Sequence, residues 1–88
     1  MAIGISPGQI VYSKAGRDKD RYFIIIDIVD DQHVMIADGD LRRVEKPKKK
    51  KIKHIKKTDF VVQELKEKLE AGKPIKNSEV RKALEEYV

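Results

Sequence analysis

Residues 7–27 read PGQIVYSKAGRDKDRYFIIID, and this stretch decides the fold: a Pro-Gly turn, a short apolar strand, a polar loop opened by Ala15 and Gly16, then a strongly hydrophobic strand. The chain is expected to reverse at Gly16, because a residue without Cβ tolerates the positive φ of a tight turn. Arg17, Asp18, Lys19, Asp20 and Arg21 follow at once, so the loop faces water or a charged partner.

Outward from this unit, Gln9 to Ser13 reads as a first strand with Ile10 and Tyr12 on one face and Val11 and Ser13 on the other. Arg21 to Val29 is nearly all apolar and β-branched, which predicts burial on both faces and the centre of a sheet. Asp30, Asp31 and Gln32 turn the chain into a third strand, His33 to Ala37. Asp38-Gly39-Asp40 is a hairpin signal leading to a fourth strand, Leu41 to Val44. Pro47 ends that pairing, and Lys51 to Ile55 makes a short, basic fifth strand. At Thr58 the apolar period becomes helical, through Val61 or Val62, Leu65 and Leu69, with Thr58 as N-cap, Asp59 in the first turn, and Gly72 and Pro74 as the stop. A second helix is expected from Asn77 as cap to about Tyr87, with Val80, Ala83, Leu84 and Tyr87 as its apolar stripe. The fold class is therefore mainly β with C-terminal helices: a small five-stranded barrel over residues 1–57, since closure removes exposed edges, and a helical hairpin over 58–88.

With 88 residues the chain is bounded to one domain and a small core. It has no Cys, so disulfides and thiolate metal sites are excluded, and the cytoplasm is the expected compartment. No stretch reads as a secretory signal, and the longest apolar run, Tyr22 to Ile26, is too short to span a bilayer, so a soluble protein is expected. The net charge of +5 is unevenly spread: residues 42–57 hold 10 of the 20 Lys and Arg and one acid, Glu45, giving +9 against −4 for the rest. Such a self-repelling cluster on a small domain points to nucleic acid or an anionic surface. Its three Ser, Ser6, Ser13 and Ser78, lie in no nucleophile motif, and no P-loop is present, so an enzyme is not expected. Asp27, Asp30, Asp31, Asp38 and Asp40 lack EF-hand spacing and read as turn residues; no metal or other cofactor is expected.

Gly8, Val11, Gly16 and the charged loop before Tyr22 to Ile26 resemble the KOW motif of translation and transcription proteins. More widely, GQIVYSKAGRDKDRYFIIIDIVDD followed by KKKKIKHIKK resembles the fourteen-e type of large-subunit ribosomal protein and the related small bacterial KOW proteins, over about residues 8–57. The resemblance implies an SH3-like barrel that binds ribosomal RNA, with Gly16 in the KOW loop and the basic strand containing His54 near the RNA. The motif's usual second glycine is replaced around Asp20, and NSEVRKALEEY lies outside the KOW core.

The candidate RNA-binding residues are Lys14, Gly16, Arg17 and Arg21 in or beside the loop, then Arg42, Arg43, Lys46, Lys48, Lys49, Lys50, Lys51, Lys53, Lys56 and Lys57, with His54 added by the resemblance. Ile52 and Ile55 interrupt the Lys run and tie it to the core, so it reads as an ordered phosphate-neutralising face, its Lys side chains directed to water. Arg17 and Arg21 have a competing role in surface pairs with Asp18 and Asp20, worth about 0–1 kcal/mol. His33 is expected to be structural. Only Tyr12, Tyr22, Phe23, Phe60 and Tyr87 are aromatic, which favours folded or double-stranded RNA over a broad base-stacking platform. The expected protein is a monomeric, cytoplasmic, ribosome-associated RNA binder, with ribosomal or translation proteins as further partners through the C-terminal helices and no membrane attachment. The alternative is a protein-interaction KOW module in which the Lys run serves solubility.

Overall fold

The alternation of apolar residues produces β1 (Gln9–Ser13), β2 (Tyr22–Ile28), β3 (His33–Ala37), β4 (Lys48–Lys51) and β5 (Ile55–Val61), followed by α1 (Gln63–Glu70) and α2 (Asn77–Tyr87). A single 3-10 turn, Ile52–His54, joins β4 to β5. The computed structural model describes residues 4–16 and 19–87. The five strands form one sheet in the order β4-β3-β2-β1-β5, with every neighbouring pair antiparallel. β2 is its central strand, as its apolar run predicts. The sheet is open, with β4 and β5 as its edges, which corrects the closed barrel expected from the sequence.

Both faces of β2 are buried, against different partners. Phe23 and Ile25 pack with Val11, Val34, Ile36 and Ile55, a cluster that draws together β3 and β5 from either side of β1 and β2. Such packing requires the sheet to curl over its own inner face, consistent with strand twist and bulging. On the other face Ile10 and Ile24 pack under Leu65 of α1 and Val80 and Leu84 of α2. One irregularity keeps the pattern workable. The register of β2 on β3 slips between Ile25 and Asp27, so Ile26 is an extra residue. The slip resets the alternation: Asp27 stays exposed while Ile28 joins the inner cluster.

Three element boundaries differ from the sequence reading. Leu41 to Val44 is not a strand, because Asp38 closes a local loop: its Oδ1 accepts the N–H groups of Asp40 and Arg42, and the Asp38 and Gly39 N–H groups both donate to the Arg42 carbonyl. β3 pairs with Lys48–Lys51 in its place, so the fourth strand is basic and the expected fifth strand, Lys51 to Ile55, is broken by the 3-10 turn. Residues 58–61 extend β5, although the apolar spacing there is helical. β1 needs a partner along its free side, and Thr58 supplies one: its Oγ1 donates to the Ile10 carbonyl at 2.7 Å, and its own carbonyl accepts from Gln9 Nε2 at 2.7 Å. Thr58 and Asp59 are therefore not the start of a helix.

α1 begins at Gln63 and ends in a Schellman arrangement, with Gly72 N–H donating to the Leu69 carbonyl and Lys73 N–H to that of Lys68. α2 spans the residues predicted for it, but Asn77 does not cap it. The Asn77 Oδ1 accepts the Val44 N–H at 2.8 Å and its Nδ2 donates to Glu45, so it holds residues 44–45 to the helix. Glu79 instead closes the first turn through the Lys76 N–H, and accepts Lys68 Nζ of α1 at 2.6 Å. Among the described residues, no helix is long and apolar enough to cross a membrane.

Candidate nucleic-acid interface

The β1–β2 loop and strand β4 are bound to each other by a lysine. Lys50 lies opposite Val34 in the β3–β4 ladder and so points to the inner face, where it is 8 % exposed. Its Nζ donates to the Ala15 carbonyl at 2.8 Å, beside Gly16, whose φ is 82°. A Cβ on Gly16 would stand 3.1 Å from that Nζ, so the glycine serves the turn and leaves room for the lysine. This corrects the expectation that every Lys of the run faces water. Lys49 and Lys51 lie on the opposite face and are exposed, as is Lys48 near the start of the strand.

His54 sits at the joint. Its carbonyl accepts the Lys14 N–H at 2.9 Å, which ties the end of β1 to the 3-10 turn. Burial pushes the His54 imidazole below its ordinary value, and the charges of Lys53, Lys51, Lys50 and Lys14 push it further the same way. Four lysines from the loop, β4 and the 3-10 turn thus act on one ring. Lys56 and Lys57 continue the positive surface along β5, opposite Tyr12 and Val11.

The remaining candidates stand apart or are engaged. Arg21 Nη2 is 3.3 Å from Asp38 Oδ2, with the Asp38 side chain 5 % exposed. Arg43 Nε lies 3.4 Å from Glu45 on the surface, a pair of small worth. The Arg42 backbone closes the Asp38 loop, and Lys46 is exposed in a turn closed by the Arg43 carbonyl. Arg17 lies outside the described residues.

Sequence reasoning missed the clasp made by Lys50 and the role of Asp20. Asp20 takes the left-handed conformation, with φ of 69°, and its Oδ1 accepts the Tyr12 hydroxyl at 2.5 Å. An Asp tolerates this region better than most residues. The hydrogen bond from Tyr12 to Asp20 holds the hydroxyl proton and raises the tyrosine's ionisation above the ordinary value. The signal for Lys50 was its parity relative to Val34, readable only with the correct β3–β4 register. The turn acids are taken up by backbone: Asp30 Oδ1 accepts the Gln32 and His33 N–H groups and approaches His33 Nδ1 at 3.0 Å. Comparison of the chain with protein-family models and with curated proteins finds no match.

Proposed function

We propose that the protein is a non-enzymatic RNA-binding domain of the KOW type, SH3-like in architecture, that docks on folded ribosomal RNA of the large subunit. The observation that carries this reading is the gathering of Lys14, Lys50, Lys51 and Lys53 around His54 on a hydrogen-bonded frame. An antiparallel meander whose last strand returns beside β1 after a 3-10 turn suits the SH3-like assignment. The ribosomal target is drawn from the sequence resemblance over residues 8–57. Exposed Lys48, Lys49, Lys51 and Lys53 neutralise phosphates and release counterions, while the frame fixes their spacing. No bond is made or broken.

Sedimentation through a sucrose gradient tests the proposal. The protein is expected to travel with large ribosomal subunits at low salt and to be stripped as salt rises. Remaining at the top at every salt, while crosslinking in cells recovers no ribosomal RNA, rules it out.

A further inference from the structure

The end of the molecule formed by β5 and α2 has a different chemistry. Phe60 is 50 % exposed and Tyr87 36 % exposed, and their ring centroids lie 5.3 Å apart. They flank a groove of about 620 Å³ floored by Val62 and Ala83. Among the described residues lining it, the only charged side chains are Glu64 and Glu86, both exposed. Two large apolar side chains left in water beside two acids are a cost to an isolated domain, and this pairing selects its occupant.

We propose that this groove docks a basic protein segment that places an aliphatic or aromatic side chain between Phe60 and Tyr87 and a Lys or Arg against Glu64 and Glu86. The charge pattern decides the class of partner. Nucleic acid brings phosphates, which Glu64 and Glu86 repel, and an acidic peptide meets the same repulsion. A cationic segment gains from both carboxylates. The protein's net +5 opposes it only weakly, because charges beyond about 8–10 Å are screened at physiological salt. The site rests on different residues from the RNA proposal: none of the candidate RNA-binding residues lines it, although Phe60 and Val61 stand on β5 beyond Lys56 and Lys57.

The test uses the full chain labelled with ¹⁵N and three probes: a Lys-Leu-Lys-Leu-Lys peptide, its Glu-Leu-Glu-Leu-Glu counterpart and a uridine oligonucleotide. The basic peptide is expected to shift the amide signals of residues 60–64 and 83–87. Glu64→Gln with Glu86→Gln should weaken it about five- to tenfold, the worth of two exposed ion pairs. Phe60→Ala should remove the apolar part of the affinity with the amide fingerprint otherwise retained. The double Gln variant changes only surface groups, so its result stands whether or not Phe60→Ala folds. Equal binding of the acidic peptide, shifts at this groove with the oligonucleotide, or unchanged affinity in the double variant overturns the proposal. So does self-association of the protein that Phe60→Ala abolishes, which assigns the groove to a second copy.

Discussion

Lys49 and Lys50 are adjacent in the chain and do opposite things. Lys50→Met is expected to cost about 1–3 kcal/mol in urea unfolding, because the Ala15 carbonyl loses its donor and the β1–β2 loop its tie to β4. Lys49→Gln and Lys51→Gln should each stay within about 0.5 kcal/mol in stability. Each of them that pairs with a phosphate in the complex should nevertheless, once neutralised, flatten the slope of log K against log salt by about 0.7–0.9. An RNA titration across salt concentrations separates the two kinds of lysine. His54 offers a second reading of the same surface. The unfolded chain holds it at the ordinary 6.5 and the native one lower, so as pH falls below that value the unfolded state protonates first. Its contribution to stability is therefore present above pH 6.5, lost as pH falls through the native value, and absent from His54→Gln. If RNA docks as proposed, its phosphates come near the ring, and an NMR titration should show the His54 pKa rising when RNA is added.

Among the elements, the loop at residues 38–45 and helix α2 depend on each other. Gly39 has φ of 78°, and a Cβ there would stand 2.4 Å from the Asn77 carbonyl. Gly39→Ala should therefore cost about 2 kcal/mol or more, measured by thermal melting, from the left-handed backbone and the collision together. Asn77→Ala frees the Val44 N–H from its partner and should cost about 1–2 kcal/mol by the same measurement. Elements with strong local patterns were legible in the sequence: β1, β3 and α2 stand where alternation or helical spacing puts them, and β2 is central because its residues are apolar on both sides. Leu41 to Val44 misled because Asp38 satisfies its turn through a side chain, a choice that apolar patterning does not encode. Thr58 to Val61 misled for a non-local reason, since the demand of β1 for a partner overrides helical spacing. Of the candidate site, the Lys cluster was legible from charge alone. Its division into a clasp and a set of outward-facing lysines was not, because that follows from a register between strands far apart in sequence.

At the scale of the whole molecule, the Lys-bearing segments of β4 and β5 lie at the two margins of the sheet, and the last residues of β5, from Phe60, pass into the Phe60–Tyr87 groove beside α2. The open sheet has a consequence for how copies of the protein behave together. A strand with one side unpaired is a template on which another chain can add, and lysines at such a margin are a known deterrent to fibrous or amorphous association. Lys48 to Lys51 and Lys56 and Lys57 lie on those margins, so like charges meet when two copies approach edge to edge. Replacing Lys48, Lys49, Lys51 and Lys56 by Gln leaves Lys50 and its clasp in place and should preserve the fold. Light scattering at rising protein concentration should nevertheless detect assembly in this variant that the parent does not show, and salt should promote it in the parent by weakening the same repulsion. The lysines proposed to meet a polyanion are thus also expected to keep the unbound protein dispersed.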